Sequence, residues 1–216
     1  MIAALAQAVG ATSMLERLQD VLGADVSRET FEKLQCYLAL LRDENQRQNL
    51  VSTATIELAW DRHILDSAQL IRHEPFAGAS WVDIGSGAGL PGVVIACLVD
   101  GPVTLIEPRR LRAEFLHKAC ESLGLNVAVF PGKAERAVGE YDVITARAVA
   151  SLARLLEISQ HLSTGKSLWV LPKGRSAQSE LAEARRTWQG RFHVEPSVTD
   201  AESFIVVGAG VRAKTR

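Results

Sequence analysis

The sequence predicts an α/β fold: a doubly wound, mostly parallel seven-stranded sheet with helices on both faces, preceded by a helical extension. Three observations predict it. From residue 80 onward, short apolar runs alternate with helical stretches, the pattern of parallel strands buried on both faces. The first run, Trp81-Val82-Asp83-Ile84, opens into Gly85-Ser86-Gly87-Ala88-Gly89-Leu90-Pro91-Gly92 and then an apolar segment, Val93 to Val99. That reads as strand, tight turn, helix. Residues 1–75, by contrast, carry helical periodicity throughout.

In chain order, Thr12 and Ser13 can cap a first helix, with Ser13 and Glu16 fitting the capping box. Leu15, Leu18 and Leu22 share its face, and Gly23 closes it. Ser27 caps a second helix. Its Phe31, Leu34, Leu38 and Leu41 form an apolar stripe running to about Arg47. A third helix spans roughly Ile56 to Arg72, with Trp60, Ile64, Leu65 and Ala68 on one side, and Pro75 stops it. The division falls between an extension over 1–78 and a domain over 79–216.

In that domain, strands are expected at 81–84, 103–106, 126–130, 141–145, 167–171, 192–196 and 203–207. Helices are expected at 91–99, 109–123, 151–162 and 177–188. The last two strands have little between them, which suggests an antiparallel finish.

Composition narrows the class. Hydrophobic residues make up 47% and charged residues 23%, an ordinary globular balance that excludes disorder. The net charge is −1, so the molecule as a whole does not advertise a polyanionic partner. The charge is uneven: residues 1–80 hold 7 Lys and Arg against 11 Asp and Glu, and residues 81–216 hold 17 against 14. A nucleic acid would meet the second part. Cys36, Cys97 and Cys120 are isolated, with no CxxC pair, and are expected as buried apolar fillers in a reducing compartment. No metal site is expected. With no signal-like start and no long apolar run, the expected location is the cytoplasm.

The glycine turn fits two ligands. Gly87-Ala88-Gly89-Leu90-Pro91-Gly92 matches GxGxxG, the dinucleotide pattern, and Gly85-Ser86-Gly87-Ala88-Gly89 matches GxGxG behind Asp83. A pyrophosphate would be repelled by an acid at the strand end. The sulfonium and ammonium of S-adenosylmethionine would be helped by one, directly or through water, so Asp83 favours S-adenosylmethionine over NAD(P). Glu107 ends the second strand, where a carboxylate accepts ribose hydroxyls of either ligand. Ala134 and Glu135 follow the third strand, where an adenine edge would be read. Arg147 follows the fourth strand and Lys173 the fifth.

These residues together resemble class I S-adenosylmethionine-dependent methyltransferases, with their Rossmann-like fold. Asn49-Leu50-Val51-Ser52, Arg62-His63-Ile64-Leu65-Asp66-Ser67 and the run Val82 to Gly92 are similar to the bacterial small-subunit ribosomal RNA methyltransferase G family, also called GidB. So are Ala146-Arg147-Ala148-Val149-Ala150-Ser151 and Leu171-Pro172-Lys173-Gly174. The resemblance runs from about residue 27 to the C-terminus. It implies methyl transfer to N7 of one guanine, guanine 527 of 16S rRNA, within the small ribosomal subunit or its precursor. It implies cofactor contacts at Gly85, Leu90, Ala134, Glu135 and Arg147, beside the Asp83, Gly87, Gly89 and Glu107 of the turn reading.

Guanine N7 attacks in line and needs no base, so no covalent enzyme intermediate is expected. No catalytic residue is assigned; Arg147, Lys173 and His63 are the candidates. His63 with Asp66 is expected chiefly as a buried, hydrogen-bonded packing pair. Arg109, Arg110, Arg112, Lys118, Arg185 and Arg186 read mainly as solvated charge, and the tail Arg212 to Arg216 is better placed to meet phosphate. Two readings compete: another S-adenosylmethionine-dependent methyltransferase with a different substrate, and an NAD(P)-binding oxidoreductase.

Overall fold

The computed structural model describes residues 2–52, 56 and 58–215, with side chains from residue 12 onward. Seven strands form one sheet: β1 (Trp81–Ile84), β2 (Val103–Ile106), β3 (Val127–Phe130), β4 (Tyr141–Thr145), β5 (Ser163–Lys173), β6 (Trp188–Pro196) and β7 (Phe204–Ala213). Their order is β3-β2-β1-β4-β5-β7-β6. β1 to β5 pair in parallel, whereas β7 is antiparallel to both β5 and β6. β1 lies between β2 and β4, so the winding direction reverses at its carboxyl end. Open α/β sheets bind ligands at such a switch point.

Alternation along the strands sorts the core into two faces. Trp81, Val103, Leu105, Val143 and Val170 join the cluster built with α1 (Ile2–Leu22), α2 (Arg28–Gln48), α4 (Gly92–Leu98) and α5 (Arg110–Ser122). The same cluster takes in α3, a helical run over 60–73. Val82, Ile84, Ile106, Ile144 and Trp169 point the other way, to α6 (Leu152–Ser159) and α7 (Ala177–Ala184). Both faces are covered, so all four β1 residues are buried. The helices before β1 therefore share one core with a sheet face.

Several expected elements shift. α1 runs straight through Thr12 and Ser13, so the expected cap there is helix interior; the helix does close at Gly23, whose φ is +67. Ser27 does cap α2: its Oγ accepts the Thr30 amide at 3.0 Å. α3 is not one α-helix. It is a π turn over Trp60–Leu65, an α turn over Asp66–Ala68 and a 3-10 turn over Gln69–His73. The wide turn brings Trp60, His63, Ile64 and Leu65 all inward. Part of the expected start of this helix, residues 53–55 and 57, lies outside the described residues.

β5, β6 and β7 are longer than their apolar runs: antiparallel pairing carries polar residues of β6 and β7 and the end of β5 into the ladder, and Ser163 at the start of β5 pairs in parallel with Tyr141 of β4. Trp188 accordingly opens β6 rather than ending α7, and Arg212 belongs to β7. Lys214 is also engaged: its amide donates to the Thr187 carbonyl at 2.8 Å and its Nζ to the Arg185 carbonyl at 2.5 Å. Cys97 and Cys120 are buried as expected, but Cys36 is exposed on the outer side of α2. Among the described residues, no helix is long and apolar enough to cross a membrane.

Candidate active site

β1 delivers Asp83 to the glycine turn with its carboxylate facing inward. Asp83 is 1% exposed. Its Oδ2 accepts the Gly92 amide at 3.0 Å, and its Oδ1 has no hydrogen-bond partner among the described residues. Burial pushes the carboxyl up to about 7, although the Gly92 amide and Arg147 pull the other way. The contact depends on a missing side chain. A Cβ on Gly92 would lie 2.3 Å from Leu105 Cδ2 and 2.7 Å from Asp83 Oδ2.

The turn itself is braced from three sides. Gly85, Gly87 and Gly89 take φ of +69, +58 and +96, the left-handed region that favours glycine. From β2, Glu107 Oε2 accepts the Gly87 amide at 2.8 Å, and its Oε1 accepts the Arg109 amide at 2.8 Å. From α2, the buried Tyr37 hydroxyl donates to the Ala88 carbonyl at 2.8 Å. From within, the Ser86 hydroxyl donates to the Asp83 carbonyl at 2.9 Å. Glu107 is 3% exposed, so both carboxylates at this edge are internal braces as well as candidate ligand contacts.

Asp66 and Arg147 bring two distant segments together. Arg147 Nη1 donates to Asp66 Oδ2 at 3.2 Å. Asp66 Oδ1 accepts Gln69 Nε2 and the Thr199 hydroxyl, each at 3.0 Å. Gln69 in turn donates to Ser197 Oγ at 3.0 Å and accepts the Val198 amide at 2.9 Å. One network thus ties α3, the end of β4 and the β6–β7 connection. His63 is buried beside it, as expected, but the hydrogen bond expected for it is missing. Neither ring nitrogen has a partner among the described residues, and Asp66 turns to Arg147 instead. Burial first, and then the Arg147 charge, lower the His63 pKa to about 4. The imidazole is neutral near pH 7.

Lys173, at the end of β5, donates to the Ala150 carbonyl at 3.0 Å and to Glu180 Oε2 at 2.9 Å. Glu180 also accepts the Leu152 amide at 2.8 Å and the Ser176 hydroxyl at 2.7 Å. Burial alone would raise its carboxyl, but the bonds from Lys173 and Ser176 hold it below its ordinary value. These bonds fix the segment after β4. Within it Ala148 takes φ +55, and Val149 lies over the turn: a Cβ on Gly85 would come 2.6 Å from Val149 Cγ2. Between Arg147 and Lys173 opens a cavity of about 280 Å³, also lined by Asp66, Gln69, Pro172 and Glu180.

The structure thus gathers Asp83, Gly85, Gly87, Gly89, Leu90 and Glu107 in one braced unit, and sets Arg147 and Lys173 on the rim of the adjoining cavity. Ala134 is buried in a 3-10 turn after β3, and Glu135 beside it is exposed, 3.5 Å from Arg154. Sequence reading missed Tyr37, Gln69, Glu180 and Thr199. For Tyr37 a signal existed. It sits three residues after Leu34 and four before Leu41, on the apolar stripe, where a buried hydroxyl needs a partner.

Comparison with known proteins agrees with this architecture. The model of the family described as rRNA small subunit methyltransferase G matches residues 30–203. The ribosomal RNA small subunit methyltransferase G of Zymomonas mobilis is 43% identical over 198 residues, covering 88% of this chain and 90% of that relative. The protein of the same name from Erythrobacter litoralis is 47% identical over 193 residues, covering 85% and 90%. Among solved structures, the ribosomal protein L11 methylase of Lactobacillus delbrueckii subsp. bulgaricus superposes with a TM-score of 0.56 at 12% identity, covering 71% of this chain and 79% of that one. That likeness shows the shared Rossmann-like fold alone. The segments around Asp66, Asp83 and Arg147 meet in one site inside the matched region, and the chain belongs to the rRNA small subunit methyltransferase G family.

Proposed function

We propose that the protein transfers a methyl group to N7 of a single guanine, guanine 527, of 16S rRNA, by direct in-line attack. Its family membership makes it an S-adenosylmethionine-dependent methyltransferase of small-subunit ribosomal RNA; the atom, the base and the route are our reading. The observation that carries it is the glycine turn braced by two buried carboxylates.

The residues present fit the cofactor. Each Glu107 oxygen spends one lone pair on a backbone amide, and a carboxylate oxygen has a second for a ribose hydroxyl. Asp83 Oδ1 is buried without a partner, an environment that a nearby cation relieves. A pyrophosphate would instead meet two acids. In this reading Asp83, Gly85, Gly87, Gly89, Leu90 and Glu107 hold the cofactor, Ala134 and Glu135 meet its adenine, and Arg147 meets its methionine end. When bound, S-adenosylmethionine supplies an electrophilic methyl group.

The chain's own residues then orient the base. Guanine N7 carries an in-plane lone pair and loses no proton before attack, so positioning accounts for much of the barrier reduction. Arg147 is held by Asp66, and Lys173 by Glu180 and the Ala150 carbonyl, so both cations are pre-set at the cavity. His63, neutral and buried, has no proton to take. A thiolate route is disfavoured: burial pushes the Cys97 and Cys120 thiols up to about 12, and Cys36 lies on α2, away from the cavity. The helices over 1–78 would shape the RNA face and 79–216 would bind the cofactor. The substrate would be the small subunit or its precursor, in the cytoplasm.

The test incubates labelled S-adenosylmethionine with small-subunit particles lacking the modification and maps the methyl group on the RNA. Transfer to N7 of the one guanine is expected. No transfer in any assembly state overturns the reading. Gly87→Val should abolish cofactor binding while the fold persists, because Gly87 holds φ +58 at the centre of the turn.

A further inference from the structure

We infer that Tyr37, on α2 and outside the glycine turn, is a positioning residue for cofactor binding, setting the Ala88 peptide through its hydroxyl. The inference rests on the assignment of that turn to S-adenosylmethionine. The Tyr37 side chain is fully buried, and its hydroxyl donates to the Ala88 carbonyl at 2.8 Å across 51 residues of chain. Ala88 stands between Gly87 and Gly89, both at positive φ. The peptide that carries this carbonyl is followed by Gly89, whose tolerance of either sign of φ leaves little steric preference for one orientation. Glu107 fixes the Gly87 amide. Among the described residues no other hydrogen bond holds the Ala88 carbonyl, and the residue is buried. Without the hydroxyl that carbonyl would be an unpaired buried acceptor, which a peptide flip relieves.

The geometry around Gly89 narrows the choice further. A Cβ there would meet Val93 Cγ2 at 2.6 Å, Leu116 Cδ2 at 3.0 Å and the Tyr37 hydroxyl at 3.1 Å. The hydroxyl therefore lies directly against the turn. α2 itself is anchored: Phe31, Leu34, Leu38 and Leu41 are buried in the core shared with α4 and α5, and Gln48 Nε2 donates to the Leu111 carbonyl at 3.0 Å. Tyr37 is thus a fixed donor on a rigid support. The helical layer before the sheet becomes part of the cofactor site through one bond. Burial also raises the phenol further above its ordinary range, so it stays a donor at every working pH.

Tyr37→Phe removes the hydroxyl and little volume. Calorimetry with S-adenosylhomocysteine should show binding about tenfold weaker than wild type, the worth of one buried hydrogen bond. KM for S-adenosylmethionine should rise by a similar factor, with kcat on small-subunit particles changed less than about twofold. Placing 4-aminophenylalanine at position 37 restores a donor and should restore affinity. Leu162→Ala, buried in the core on the other face of the sheet and at the amino end of β5, serves as the packing control and should leave affinity near wild type. Wild-type binding by Y37F, or equal weakening by Leu162→Ala, overturns the inference. Should Y37F not fold, 3-fluorotyrosine at 37 keeps the hydroxyl as a stronger donor and must tighten binding; unchanged affinity overturns the inference. Wild-type protein that fails to bind S-adenosylhomocysteine rejects the cofactor reading instead, a result separable from all of these.

Discussion

Asp66 and Arg147 lie 81 residues apart in the chain and meet at 3.2 Å, joining α3 to the carboxyl end of β4. Each side chain is about one-fifth exposed, so the pair is neither a solvated surface contact nor a sealed one. Removing Asp66 leaves the mostly buried Arg147 charge without its carboxylate, whereas Asp66 without Arg147 keeps its bonds from Gln69 and Thr199. Arg147→Ala is expected to lower kcat/KM for rRNA methylation about a hundredfold, and Asp66→Asn about tenfold. With Asp66 proposed to act through Arg147, the double variant is expected to be no worse than Arg147→Ala alone. Steady-state kinetics on the four proteins decides it, and additive losses would separate the two roles.

Gly92 is required by space rather than by backbone angle. Its φ is not in the left-handed region, yet a Cβ there would strike Leu105 and the Asp83 carboxylate. Gly92→Ala must push Asp83 off the amide that it accepts. The expected cost is about 2–4 kcal/mol by chemical denaturation, with loss of S-adenosylhomocysteine binding. Stability within 0.5 kcal/mol of wild type, on the usual scale of surface changes, would show that the loop relaxes around it.

His63 and Asp83 oppose each other in acid. Burial holds His63 at about 4, below its ordinary 6.5. Its contribution is therefore complete above pH 6.5 and is lost as pH falls toward 4. Asp83 is held at about 7, above its ordinary 3.8. Its contribution is complete below pH 3.8 and is lost as pH rises through 7. Over that shared window the two slopes largely cancel. Asp83→Asn should expose the histidine, losing about 2 kcal/mol between pH 7.5 and pH 5 relative to wild type. His63→Leu should do the reverse and gain about as much. Denaturation at the two pH values measures both signs.

Lys173 is expected to matter through the loop that it ties down. Lys173→Met keeps the stem but frees the Ala150 carbonyl and leaves Glu180 with only Ser176 and the Leu152 amide. Activity should fall at least about tenfold, while stability falls by about 1–3 kcal/mol. Adding Glu180→Gln removes the orphaned charge and should recover stability, read by thermal melting, without recovering activity. Recovery of both would reduce Lys173 to a structural ion pair.

What was legible in the sequence follows from what hydropathy reports. Trp81 to Ile84, Val103 to Ile106 and the glycine turn were readable because parallel strands are apolar on both faces and the turn demands positive φ. The ends of β5, β6 and β7 were not, since Ser163 and Arg212 are held by ladder bonds that leave no apolar trace. The π turn at Trp60–Leu65 escaped for a similar reason: a helix pattern does not show which carbonyl an amide selects. At the site, Asp83 and Glu107 stood out as acids ending strands. Their service as braces, and the Tyr37 bond to Ala88, needed long-range contacts. Asp66 and Arg147 were noted separately, and only the fold made them a pair.

Gly85 offers a test of the segment that lies over the turn. A side chain there meets two costs. One is its φ of +69, which disfavours alanine by about 1–2 kcal/mol. The other is Val149, whose Cγ2 would stand 2.6 Å from the new Cβ. The first cost is intrinsic to the turn, and the second belongs to the loop. Val149 is 38% exposed and follows Ala148 at φ +55, so the loop can move outward but would loosen its hold on the site. Gly85→Ala should therefore weaken S-adenosylhomocysteine binding by more than the backbone cost alone. Val149→Ala in the same protein removes the clash and should restore part of the affinity, leaving the backbone share. By itself Val149→Ala should be close to neutral for folding. Calorimetry on the three variants separates the contributions. If the second change restores nothing, the effect of Gly85→Ala is backbone strain alone and Val149 does not gate the turn.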